Sequence, residues 1–206
     1  MNQTEQPGTG FEIGADGWCL QAQHMPSPNF DARPAPPFID LLVIHNISLP
    51  PDQFGGSYIA DLFRNCLDCD AHPYFDQLRA LKVSAHFLIR RDGTVIQFVS
   101  VNDRAWHAGQ SSFRGRERCN DFSIGIELEG SDFVPFDDIQ YDMLTALTLA
   151  LRRRYSLADV AGHQHIAPGR KTDPGPFFDW KRYLAAVEQA GDVGILPQPL
   201  RFSFSG

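Results

Sequence analysis

The chain has 206 residues, 43% hydrophobic and 21% charged, which is enough to bury one domain-sized core. Its formal charge of -7 at pH 7 argues against a nucleic-acid binder, which needs a basic stripe. The apolar runs are far shorter than a membrane span.

Residues 1–15 are polar and glycine-bearing and read as a flexible N-terminus. The opening MNQTEQPGTG has no positive n-region and no apolar h-region, so no secretory signal is expected and the cytoplasm is the expected compartment. Cys19, Cys66, Cys69 and Cys119 are too few and too unevenly spaced for a disulfide framework. The proline cluster PSPNFDARPAPP, Pro26 to Pro37, reads as an ordered connection. IDLLVIHN, Ile39 to Asn46, follows as a continuous apolar run of the kind buried on both faces of a sheet. A short helix is expected around Ser57 to Asn65.

HFLIRRDGTVIQFVS, His86 to Ser100, places Asp92-Gly93 between two β-rich segments and predicts a hairpin. FSIGIELEG, Phe122 to Gly130, is a further strand. A helix starts at Asp137, with Ile139, Met143, Leu144, Leu147 and Leu151 at helical spacing. Asp137 and Asp138 lie at its positive end and Arg152, Arg153 and Arg154 at its negative end. The segment HQHIAPGRKTDPGP, His163 to Pro176, carries too many prolines for a helix, and a last helix is expected over Phe178 to Gln189. The proline-bearing stretch 191–206 reads as a poorly anchored C-terminal tail. Strands interleaved with helices predict an α/β fold: one domain over 16–190, with a mixed central sheet flanked by helices.

The chemistry concentrates in that proline-rich segment. A residue before proline is pushed towards the extended region, so Lys171 and Asp173 should share a face at roughly 6 to 7 Å spacing. Alone they would be a solvated ion pair. His45, however, closes a buried strand, and His163 lies ten residues before Asp173. Two imidazoles and a carboxylate leave a fourth tetrahedral position open, the ligand count of a catalytic zinc site. Such a site acts on amides with a proton carrier and an oxyanion stabiliser, for which Glu127 and Lys171 are the candidates. His165 shares a face with His163 on an extended HQH and rivals it as ligand, and Glu129 shares a strand face with Glu127 and rivals it as base. His86 reads as a core histidine, His107 as a residue that could touch substrate, and His24 and His72 as incidental. Cys66 and Cys69 form a C-x-x-C beside Asp70 and His72, but no second pair completes a zinc knot.

Five collinear stretches carry a family resemblance: VIHNISLPPDQFGG, VSAHFLIRRDGTVIQFV, RAWHAG, GRERCNDFSIGIELEG and GHQHIAPGRKTDPGP. Through them the chain resembles the 1,6-anhydro-N-acetylmuramyl-L-alanine amidases of the AmpD type, within the zinc amidase and peptidoglycan-recognition fold, from about Gly17 to Arg182. The resemblance implies that His45, His163 and Asp173 hold one Zn2+ ion, and that Glu127 and Lys171 carry the chemistry. It further implies contacts to a muropeptide from Asn46, Trp106, Arg118 and Lys82. At position 82 relatives carry arginine, and lysine keeps the charge without the bidentate fork. The expected activity is hydrolysis of the amide between N-acetylmuramic acid and L-alanine in anhydro-muropeptides, by a monomer acting in cytoplasmic recycling. Two rival readings are a glycoside hydrolase using Glu127 and Glu129, and a non-catalytic peptidoglycan-binding module.

Overall fold

The computed structural model describes residues 10–191 and 200–203. Its first half holds β1 (Gln23–His24), β2 (Phe30–Ala32), β3 (Leu41–Ile47), α1 (Tyr58–Phe63), a 3-10 turn (Pro73–Leu78), β4 (Phe87–Ile89), β5 (Val95–Gln97) and β6 (Asp103–Ala105). The second half holds β7 (Ser112–Phe113), β8 (Arg116–Glu117), a 3-10 turn (Cys119–Asp121), β9 (Ser123–Glu129), α2 (Asp138–Arg154), β10 (Asp159–Gly162), α3 (His163–Ile166), α4 (Trp180–Gly191) and β11 (Arg201–Ser203). Seven strands form one mixed sheet in the order β1-β5-β4-β9-β3-β10-β11. Only β4 and β5 run antiparallel, joined through the expected Asp92-Gly93 turn.

The apolar runs build the centre. Leu41, Leu42, Val43 and Ile44 on β3 and Ile124 and Ile126 on β9 are fully buried, as both-face-covered parallel strands require. On one face, α2 and α4 contribute Leu144, Leu147, Leu151, Tyr183 and Val187 to a core with Leu42, Ile44 and Ile126. On the other, Ile59, Leu62 and Phe63 of α1 and Phe75 of the 3-10 turn pack with Leu88, Ile96 and Phe98. Helices therefore cover both faces, and the expected architecture stands.

Helix α2 begins at Asp138 with Asp137 as its N-cap, within one residue of the expected start. The Gln140 side-chain oxygen accepts from the Asp137 N–H at 3.0 Å, satisfying a donor that the helix leaves orphaned. Its buried stripe differs from the expected one. Ile139 is 39% exposed because it lies in the first turn, over the Gly93 hairpin. Leu144, Leu147 and Leu151 face inward as expected, Met143 is half-buried, and Tyr141 and Thr148 join the buried face.

Two further expectations change. His163–Ile166 is a single helical turn, not an extended segment, because the prolines begin only at Pro168. The C-terminal stretch is anchored at residues 201–203, which add an edge strand to β10, with Arg201 donating to both Asp159 oxygens at 3.0 and 2.7 Å. The rest of that stretch, 192–199 and 204–206, and residues 1–9 lie outside the described residues. The proline-rich connection is ordered, as expected, and it contains β2, which pairs with β6.

Candidate active site

The sheet order sets the site before any loop does. β9, β3 and β10 are adjacent and parallel, with His45 in register with Glu127 and Ile44 in register with Gly162. Their carboxyl ends therefore bring Glu127, His45 and His163 to one edge, the crevice where α/β sheets bind ligands. Asp173 arrives on the loop after α3. The Gln164 N–H donates to the Asp173 carbonyl at 2.9 Å, and Pro174 packs onto Gly162, where a Cβ would stand 2.7 Å from the Pro174 ring. The Asn46 amide closes the same loop, donating to Asp132 Oδ1 at 2.8 Å and to the Pro174 carbonyl at 3.0 Å.

Three atoms converge. His45 Nδ1 and His163 Nδ1 lie 3.0 Å apart, and Asp173 Oδ2 lies 3.0 Å from the first and 3.1 Å from the second. His163 Nε2 donates to the Ala108 carbonyl at 3.1 Å, which leaves its Nδ1 as a lone pair facing the other two groups. Burial lowers His45 to about 4, with the neighbouring Asp173 opposing that shift, so the ring is neutral near pH 7. Ligands at about 2.0 Å around a tetrahedral ion stand about 3.3 Å apart, close to this triangle. The donor set and its spacing fit a zinc-sized cation, and among the described residues no other group of three does so.

The triangle opens into a cavity of about 450 Å³, whose lining includes Asn46, Trp106, Glu127, Arg170 and Lys171. Glu127 is 8% exposed and its Oε2 has no hydrogen-bond partner. Burial, with the Asp173 charge adding to it and Lys171 opposing, pushes its carboxyl well above the ordinary value. A carboxyl so placed, with a raised affinity for a proton and a free oxygen facing the cavity, suits proton transfer to and from a ligand.

The rivals fall away on geometry. His165 points from the other side of the α3 turn, accepting the Gly162 N–H at 2.9 Å and stacking on Trp180 at 5.4 Å. Glu129 is engaged elsewhere, accepting the Gly55 N–H at 2.6 Å and the Arg91 N–H at 3.1 Å. That removes the second carboxylate a glycosidase would need. His107 is buried against His45 and still lines the cavity beside Trp106, and His86 is a core histidine as expected.

Two expected contacts lie off this cavity. Lys82 is exposed between the lining residues Leu81 and Val83. Arg118 lines a neighbouring cavity of about 390 Å³ that shares Arg170 with the first. Sequence reasoning passed over Arg170 and Asp132, which line the main cavity. It also passed over Asn120, whose side-chain oxygen accepts the N–H of His107 and of Ala108 at 3.2 and 2.8 Å. Only the RAWHAG stretch itself hinted that this backbone had to be held.

Parallel strands that end at His45 and Glu127, with His163 and Asp173 brought to them by α3 and the loop after it, present the donor set and the proton carrier of an amide hydrolase. Comparison with known proteins makes the class specific. The family model for N-acetylmuramoyl-L-alanine amidase matches residues 34–176, and the chain belongs to that family. It is 55% identical over 182 residues, 87% of this chain and 97% of the relative, to the 1,6-anhydro-N-acetylmuramyl-L-alanine amidase AmpD of Enterobacter cloacae. A crystal structure of a selenomethionine derivative of AmpD superimposes with a TM-score of 0.82 at 56% identity, covering 84% of this chain and 97% of that one. The Escherichia coli amidase AmiD was solved in complex with the substrate anhydro-N-acetylmuramic acid-L-Ala-D-γ-Glu-L-Lys. It matches with a TM-score of 0.54 at 30% identity, covering 87% of this chain and 66% of that one. The resemblance read from the five stretches is borne out.

Proposed function

We propose that the chain hydrolyses the amide bond between 1,6-anhydro-N-acetylmuramic acid and L-alanine in muropeptides, with one zinc ion, in cytoplasmic peptidoglycan recycling. The observation that carries this reading is the buried Glu127 with an unpartnered oxygen beside a triangle of three metal-ligand atoms. Identity of 55% to an AmpD over nearly its whole length supports the substrate. The catalytic unit is 16–190, acting as a monomer; no described helix is long and apolar enough to cross a membrane.

His45, His163 and Asp173 would hold the zinc. A zinc ion held there would supply Lewis acidity towards an attacking water and the scissile carbonyl. Glu127 takes a proton from that water and returns it to the amino group of the departing L-alanine, so one carboxyl serves as base and then as acid. Its raised affinity for a proton suits both duties. The Lys171 ammonium is a fixed positive charge for the oxygen that becomes negative as the carbonyl turns tetrahedral. Trp106 offers an aromatic wall to the sugar. Asn46 offers its carbonyl oxygen, both amide hydrogens being engaged. Lys82 and Arg118, both outside this cavity, would meet parts of the muropeptide that extend beyond it, Lys82 the peptide's terminal carboxylate.

The test is digestion of a purified 1,6-anhydro-muropeptide, with and without chelator, followed by mass spectrometry. Free stem peptide and an intact anhydro-amino sugar, both abolished by chelation, are the expected products. Cleaved sugar linkages or unchanged substrate would sink the reading.

A further inference from the structure

His45 can serve a cation only if its Nδ1 carries no proton, and the ring alone does not decide which nitrogen does. The decision is made two residues deeper. His45 Nε2 lies 3.0 Å from His107 Nδ1, so one hydrogen sits between them. The other nitrogen of His107 lies 3.3 Å from Ser123 Oγ, and Ser123 Oγ donates its hydrogen to the Cys119 carbonyl at 2.6 Å. A hydroxyl has a single hydrogen. Towards His107, Ser123 can therefore only accept, so His107 carries its hydrogen on Nε2. Its Nδ1 is then a lone pair that accepts from His45 Nε2–H, and His45 is left with a bare Nδ1 facing His163 and Asp173.

We propose that His107 is a positioning residue which, backed by Ser123 and the Cys119 carbonyl, fixes the His45 tautomer and so sets the affinity of the site for zinc. This rests on the reading of His45 as a zinc ligand. The slot for His107 is built into the sheet: at Gly125, on β9, a Cβ would stand 2.4 Å from His107 Cγ. The backbone on either side is pinned by Asn120. The next residue does the same for the other imidazole, since the Ala108 carbonyl accepts from His163 Nε2. Adjacent residues of one loop thus orient both histidines, the outer support that metal-bound imidazoles need.

The experiment measures zinc dissociation constants by competition with a chromophoric chelator, for the wild type, His107→Leu and His107→Gln. Leu removes the acceptor and should weaken zinc about 10- to 100-fold. The amide of Gln can accept from His45 and donate to Ser123, and should restore affinity to within about three-fold of wild type. A folded His107→Leu variant with wild-type affinity would overturn the proposal. So would a Gln variant as weak as the Leu variant, which would make His107 mere filling. Should His107→Leu fail to fold, long-range 15N–1H correlation spectra of the zinc-loaded wild type decide alone. A hydrogen on His107 Nε2 supports the relay, and one on Nδ1 refutes it. A wild type that takes up no zinc would instead fail the reading beneath the proposal.

Discussion

Replacing Glu127 with Gln is expected to slow hydrolysis and to stabilise the chain at the same time. The carboxyl is 8% exposed with one oxygen unpartnered, and its proton affinity is raised first by burial and then by Asp173. A carboxyl whose pKa is raised on folding holds its proton more tightly in the folded state. It therefore penalises folding at every pH above the unfolded value. Gln keeps the shape and removes the charge. The relief should be of the size of an unsatisfied buried polar group, about 1 to 3 kcal/mol, or about 2 to 12 °C in melting temperature for a chain of this length. Turnover should fall by about 10² to 10⁴ as the proton carrier is lost. Calorimetry of the metal-free proteins and product analysis on an anhydro-muropeptide measure the two effects. A lower melting temperature, or turnover near that of the wild type, would refute the reasoning.

Asp173→Ala should weaken zinc binding by more than the roughly 10- to 100-fold that losing an outer hydrogen-bond partner costs; full occupancy by elemental analysis would exclude Asp173 as a ligand. Glu129→Ala should lose about 1 to 3 kcal/mol of stability, because the N–H groups of Gly55 and Arg91 lose their acceptor. Its turnover should stay within about ten-fold, and a loss of 10² or more would revive a catalytic role for the second carboxylate. Burial lowers His45 to about 4 and also lowers His86 and His107. The folded metal-free chain thus binds fewer protons than the unfolded one, so this contribution is complete above about pH 6.5 and is lost as pH falls through about 4. His45 alone contributes on the order of 3 kcal/mol. A melting temperature unchanged between pH 7.5 and 4.5 would contradict this.

Much of the site was legible because it rests on the strongest local signals. The run ending in His45 read as a strand buried on both faces and FSIGIELEG as a second strand, and the structure pairs them in parallel with their carboxyl ends at the ligand crevice. The Asp92-Gly93 hairpin and the start of α2 at Asp137 were equally local. What stayed hidden depended on distant partners. The strand at 201–203 is tied to buried Asp159, which Arg201 and Arg114 both meet from distant parts of the chain. Arg33, read only as part of a proline-rich connection, is 8% exposed and donates to the carbonyls of Val101, Asn120, Asp121 and Ser123, holding the turn that carries Asn120. The α3 turn, by separating His163 from His165, replaced an ambiguity that an extended HQH could not resolve. No spacing rule places His107 behind His45, since 62 residues separate them.

The most direct test is an anomalous-difference map, collected at the zinc edge, from crystals of the protein purified without chelator. A single peak about 2.0 to 2.2 Å from His45 Nδ1, His163 Nδ1 and Asp173 Oδ2 is the expected result. An empty map at that point, or a peak held by other side chains, would contradict the account.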